Sequence, residues 1–293
     1  MEGRAPAASR GIALDLHGLL QLAVLAALVV FLYYRILAGL VAQWLQDPNY
    51  SHGFFIPFFC AWVIWREREH LAKAPAKGSW TGLLVILGAL SILVLGVLGA
   101  ENFLSRTSLL FLLAGLVIYF RGWGLFRAWL FPWVILFLMI PLPAIIFNQI
   151  ALPLQFQASG LASGLLSLAG IPVLREGNVI HLPSLTLDVV EACSGLRSLV
   201  SLLTLAVIYA YLFEPRLVRR ALLILSAVPI AVLANGFRIM GSGILGEYWS
   251  PEKAEGFFHM FSGLLIFCVS FSLLLLFHAA VSWLGRRLPA RNT

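Results

Sequence analysis

"ALLILSAVPIAVLANGFRIMGSGILG", residues 221–246, is a run in which Arg238 is the single ionisable side chain. It exceeds the roughly 20 residues that a helix needs to cross the hydrocarbon core of a bilayer. Similar runs recur through the 293 residues, whose composition is 61% hydrophobic and 11% charged, against roughly 45–50% and about 25% in soluble domains. A chain with so little polar surface cannot cover itself in water. The sequence therefore predicts an all-α polytopic membrane protein, with residues 1–293 forming a single integral membrane domain. Candidate spans fall at about 17–43, 53–66, 80–100, 103–120, 125–142, 194–213, 218–246 and 257–284, eight in all. The basic residues ahead of the first run resemble a signal peptide, but the run is longer than a signal core, so an uncleaved first span is expected.

Between the fifth and sixth spans lies a different segment. "AIIFNQIALPLQFQASGLASGLLSLA", 144–169, keeps helical apolar spacing but carries Asn148, Gln149, Gln155 and Gln157, with Pro153 inside. It reads as an amphipathic helix, interfacial or re-entrant. "GIPVLREGNVIHLPSLTLDVVEAC", 170–193, has β-branched residues on both sides of Glu176-Gly177-Asn178 and reads as a short β-hairpin.

The formal charge of +7 is a topology signal rather than a sign of nucleic-acid binding. With the N-terminus inside, fourteen of the twenty lysines and arginines fall in cytoplasmic segments, as the positive-inside rule requires. Arg106, Arg175 and Lys253 then fall on the opposite side. Both termini are expected in the cytoplasm and the segment at about 144–192 outside it. A crossing by 144–169 would reverse "EPRLVRR", 214–220, and contradict that pattern.

Under this topology Cys193, Arg238 and His259 reach one level of the membrane from three different helices. A cysteine reacts as thiolate, and a helix N-terminus such as Cys193-Ser194-Gly195 lowers a thiol pKa. Arg197, four positions on, would share its helical face. His259 could take the thiol proton and return it to a leaving amine. Arg238 costs about 2.5–3.5 kcal/mol at mid-bilayer, and a fixed cation there suits an oxyanion or a substrate carboxylate. Asn235, three residues earlier, could orient it.

Each residue also has an ordinary reading. A membrane cysteine is usually a small hydrophobe, as Cys60 and Cys268 are expected to be. His259 could touch headgroups, Arg238 could snorkel or pair with Glu247 or Glu255, and Glu191 could cap a helix. Their agreement in depth favours catalysis. "DPNYSHGFFIP", 47–57, is either a turn or a substrate entrance formed by Tyr50, Ser51 and His52. His181 is expected to be structural, and His278 an interface residue. Three cysteines without CxxC spacing, and the lack of HExxH, GxSxG or a glycine-rich phosphate loop, predict no metal and no cofactor.

"VVEACSGLRSLVSLLTLA", "PIAVLANGFRI" and "HMFSG", with upstream "YSHGFFIP", "MIPLP" and "GIPVLREGNVIHLP", resemble the exosortase/archaeosortase family over about residues 47–275. The resemblance implies a multi-pass transpeptidase of the inner (cytoplasmic) membrane with an extracytoplasmic active site, working through a thioacyl intermediate. Its partners would be exported proteins bearing a C-terminal sorting signal: a Pro-Glu-Pro-type motif, a transmembrane helix and a basic cluster. A lipid-linked or amine acceptor would receive them, in a system that often accompanies exopolysaccharide. The family's catalytic Cys, Arg and His fall on Cys193, Arg238 and His259, with Glu191, Ser194, Arg197 and Asn235 as supporting residues. Two competing readings are a transporter or scaffold for envelope polysaccharide and an acyltransferase using His259 as base. Both would leave Cys193 dispensable.

Overall fold

A computed structural model describes residues 16–75, 77–189, 195–249 and 257–287, with the side chains at 17, 257–262 and 285–287 outside the description. Cys193, Ser194 and Glu191 lie outside the described residues. The chain divides into two compact units, Met1–Pro143 and Ala144–Thr293.

The first unit opens with α1, Leu16–Gln46, whose exposed Leu19, Leu22, Leu28 and Phe31 suit a lipid-facing surface. A 3-10 turn, Ser51–Phe54, leads into α2, Phe55–Arg66, and α3, Arg68–Ala72. α4, Thr81–Leu98, and α5, Asn102–Arg121, form a tight pair. A Cβ on Gly82 would strike the Tyr119 backbone, and one on Gly115 would stand 2.9 Å from the Ile86 nitrogen, so glycine lets the two backbones approach. The Tyr33 and Ser108 hydroxyls share a hydrogen bond of 2.9 Å that ties α1 to α5.

The stretch expected as a fifth span is broken into α6, Trp123–Ala128, α7, Leu130–Ile135, and a 3-10 turn, Leu136–Met139. Pro132 has no N–H for a continuing helix, and its ring would collide with the carbonyl four residues back. The break therefore falls at Trp129. α2, expected as the second span, is 12 residues long, about 18 Å at 1.5 Å per residue, against about 30 Å of hydrocarbon. These two short stretches lie against each other: the Cys60 thiol donates to the Pro132 carbonyl at 3.3 Å, and His52 Nε2 to the Leu138 carbonyl at 3.2 Å. Among the described residues six helices, rather than eight, are long and apolar enough to cross a membrane: Gly18–Gln46, Thr81–Leu98, Asn102–Arg121, Leu196–Phe213, Leu217–Tyr248 and Gly263–Leu284. A seventh results if Leu130–Met139 and Ala144–Leu168 make one broken span. Arg106, counted on the side opposite the cytoplasm, is 6% exposed in the first turns of α5.

The second unit begins with α8, Ala144–Leu168, which runs through Pro153 and buries Phe147, Ala151, Gln155, Ala158, Ala162 and Leu166, a stripe at helical spacing. The expected hairpin is present and carries a third strand. β1, Leu174–Glu176, pairs antiparallel with β2, Val179–His181, and β2 with β3, Thr186–Asp188; Ile180 stands opposite Arg175 and Leu187. Arg175 Nη1 holds the sheet to α8, donating to the Phe156 and Gly177 carbonyls and to Ser159 Oγ. His181 meets Thr186 Oγ1 at 3.1 Å, the structural role expected of it.

α9, Leu196–Phe213, α10, Leu217–Tyr248, and α11, Phe257–Arg287, complete the unit. Leu202, Ala206, Ala210, Leu223, Ala227, Ala231 and Leu274 make their shared core. One end is fastened by Glu214, which is 4% exposed. Its carboxylate accepts from the Arg216 N–H at 3.0 Å and from His278 Nε2 at 3.1 Å, while Arg220 donates to its carbonyl and Tyr209 Oη lies 3.0 Å from His278 Nδ1. His278 is thus bonded into the bundle rather than placed at the lipid interface. Burial alone would raise the Glu214 carboxyl, but the Arg216 N–H, His278 and Arg219 together hold it below its ordinary value.

Candidate active site

The turn of α10 from Asn235 to Ile239 collects contacts from three neighbours. Asn235 is 1% exposed, and a Cβ on Gly195 would stand 2.7 Å from its Cγ. Gly195 caps the N-terminus of α9 with φ +78°, ψ 0°, a left-handed conformation open to glycine. Gly236 faces Leu161 of α8 so closely that a Cβ would strike its side chain. Ile239 shares a core with Val189, Ile180, Ala162 and Leu166. Both ends of the described chain on either side of residues 190–194 therefore pack beside this one turn: Val189 is 1% exposed in the Ile239 cluster, and Gly195 lies on Asn235.

Val189 is held from the sheet as well. Its N–H donates to the Asn178 carbonyl at 3.1 Å, and Asn178 Nδ2 donates back to the Val189 carbonyl at 3.1 Å. Glu247 Oε2 accepts from the Ser184 N–H at 3.1 Å and its hydroxyl at 2.6 Å, tying the β2–β3 turn to α10. Glu247 is accordingly engaged with Ser184. Glu255, the other carboxylate weighed for Arg238, lies outside the described residues.

Arg238 is half-buried. Ala227, Ala231 and Arg238 stand at i, i+4 and i+11, one helical face, and the two alanines of that face pack against α9 and Leu274 of α11. The backbone register gives the depth. Gly195 and Glu214 bound α9 and are nineteen residues apart; His259 and His278 on α11 are also nineteen apart; Arg220 and Arg238 on α10 are eighteen apart. Since His278 and Arg220 are both bonded to Glu214, a rise of 1.5 Å per residue gives about 27–29 Å of helix from that anchor to Gly195, Arg238 and His259. These backbone positions are thus separated from the anchor by similar lengths of helix. The His259 side chain lies outside the described residues.

Arg197 is exposed at the second position of α9. The helical face it was expected to share with position 193 involves a position outside the described residues. Of the other thiols, Cys60 is 3% exposed and bonded to a carbonyl, and Cys268 is exposed on α11. At the proposed entrance, Tyr50 is 7% exposed, Ser51 is exposed and donates to the Pro48 carbonyl at 3.2 Å, and His52 is half-buried against Leu138. Burial pushes the His52 pKa below its ordinary value despite its backbone hydrogen bonds.

Sequence reasoning missed the contact between Gly195 and Asn235 and the buried Glu214–His278 pair. A glycine directly ahead of an apolar helix hinted at the first; no local pattern signals the second.

No curated protein and no solved structure matches the chain. A family model described as transmembrane exosortase (Exosortase_EpsH) matches residues 44–276 and covers the α9 start, the Asn235–Arg238 turn and the first turns of α11. By that match over most of its length, the chain belongs to the transmembrane exosortase family.

Proposed function

We propose that this protein is a membrane cysteine transpeptidase that cleaves the C-terminal sorting signals of exported proteins and passes them to an envelope acceptor. The observation that supports this reading is the seating of Gly195 on Asn235, one turn from Arg238. The Cys193 thiolate attacks the scissile carbonyl carbon, forming a C–S bond, and Arg238 stabilises the tetrahedral oxyanion. As the C–N bond breaks, His259 delivers to the leaving amine the proton it took from the thiol. An acceptor amine or lipid-linked nucleophile then displaces the thiolate from the thioacyl enzyme. Glu191, Ser194, Arg197 and Asn235 support the site.

The same reading places both termini in the cytoplasm and the site outside it, in the inner membrane. Charge supports that orientation. Gly122, at φ +88°, packs so closely that a Cβ would strike the Lys77 carbonyl, and one on Gly124 would stand 2.8 Å from the Pro75 carbonyl. The loops carrying Lys73, Lys77, Arg121 and Arg127 therefore belong to one face, as retention on the cytoplasmic side requires.

The test is Cys193→Ala in cells expressing a tagged protein that ends in motif, helix and basic tail. Trimming should stop while the variant inserts at normal levels. Normal trimming in that variant, with loss only on replacing Arg238, would reject the enzyme in favour of a transporter or scaffold.

A further inference from the structure

We propose that a groove between α1 and α5 binds the phosphate of a membrane phospholipid. The groove is a cavity of about 400 Å³ lined by Arg35, Gly39, Gln43, Gln46, Asp47, Asn102 and Arg106, among others. That volume falls in the range of small-molecule pockets, roughly 300–1,000 Å³. Arg106 is 6% exposed and donates from Nη1 to Gln43 Oε1 at 2.7 Å, a neutral partner. Among the described residues, neither Arg106 nor Arg35 has a carboxylate within ion-pair distance. Asp47 also lines the groove, and its carboxylate accepts the Asn49 N–H at 2.9 Å. Two guanidiniums, one of them buried, line the groove against a single carboxylate, so the lining carries an excess of positive charge that a bound anion would balance. Phosphate suits them because guanidinium forks bind it through paired charge-assisted hydrogen bonds.

Position selects a lipid over a soluble anion. Arg35 stands nineteen residues after the start of α1, about 28 Å along the helix, close to one hydrocarbon thickness. It is exposed beside exposed Tyr34, whose hydroxyl accepts from Arg35 Nε at 3.0 Å, the tyrosine-plus-cation signature of a membrane interface. Exposed Phe31 and Leu32 lie on the bilayer side of that level, where acyl chains would run. Gly39, one turn further on, leaves the groove open: a Cβ there would meet nothing within 4 Å.

The test uses native mass spectrometry of the full chain released from detergent micelles loaded with phosphatidylglycerol or with a phosphate-free galactolipid. Wild type should retain one phosphatidylglycerol in preference to the galactolipid. Arg35→Gln and Arg106→Gln should each weaken retention by about ten-fold or more, the scale of losing one charge-assisted contact. Gly39→Leu should weaken it by filling the groove with both charges intact, and Cys193→Ala should leave it unchanged, which separates this site from the thiol chemistry. Equal retention of the galactolipid, or unchanged retention in Arg35→Gln and Gly39→Leu, overturns the proposal. Both of those positions are exposed, so they decide the matter even where Arg106→Gln fails to fold. Displacement of the lipid by inorganic phosphate overturns the lipid assignment.

Discussion

Replacing Gly195 with alanine tests the contact on which the catalytic reading stands. At φ +78° an alanine meets the steric cost of the left-handed region, about 1–2 kcal/mol. Its Cβ would also stand 2.7 Å from Asn235 Cγ and 2.9 Å from Asn235 Cβ and Nδ2. Because Asn235 is 1% exposed, it has no free space to retreat into, and overpacking of this kind costs about 1–3 kcal/mol. The two contributions together predict a loss of about 3 kcal/mol, measured by denaturant unfolding of the purified chain in detergent. Asn235→Ala removes the Cγ and Nδ2 contacts but leaves the backbone strain. The double variant Gly195→Ala/Asn235→Ala should therefore recover about 1 kcal/mol relative to the sum of the singles.

Function gives a sharper readout than stability. A shift of the α9 start by about 1 Å against the Arg238 turn is enough to lower a rate by about a hundred-fold, so Gly195→Ala should cut signal trimming well beyond its loss of folded protein. A variant that unfolds like wild type, trims normally and shows no coupling to Asn235 would refute the contact and the pocket built around it.

Arg238→Lys should lose much of the activity and Arg238→Gln more, by about a hundred- to a thousand-fold for removal of an oxyanion donor, with membrane insertion of both unchanged in a fractionation assay. For Glu214 the folded pKa lies below the ordinary 4.5, so its contribution to stability is present above about pH 4.5 and is lost as pH falls through the folded value. The thermal midpoint of wild type should therefore converge on that of Glu214→Gln on acidification below pH 4.5, and a gap that persisted or widened there would contradict the assignment. Gly82→Val should force α4 from α5 by driving a side chain into the Tyr119 backbone, costing about 2 kcal/mol or more, read as a lowered thermal midpoint in detergent.

The helical membrane fold was legible because burial in lipid imposes a composition and a length, and both are written locally. Span count was not, because composition cannot register a backbone break. Residues 125–142 are apolar enough to cross, yet Pro132 ends one helix and starts another there. The third strand escaped notice for a related reason: Thr186–Asp188 is three residues long, too short for an alternating pattern, and is defined by pairing with Val179–His181. The burial of Arg106 was not legible either, because its partner Gln43 is sixty-three positions away.

Of the candidate site, the spacing of Arg238 and His259 along their helices was legible, for a reason that lies in helix geometry. Helices of fixed rise that share a bonded anchor convert a difference in residue number into a depth. The Glu214 cluster supplies the anchor, and counting from it along α9, α10 and α11 returns nearly the same number to Gly195, Arg238 and His259. Lateral proximity has a separate source, the glycine contacts of α10. Gly236 against Leu161 and Asn235 against Gly195 fix which helices meet at that level. A chain in which the anchor were shifted by a helical turn on one helix would carry the same motifs but miss the level by about 5 Å. The pairing of Glu214 with His278 is therefore as much a condition of the proposed chemistry as any residue at the opposite end.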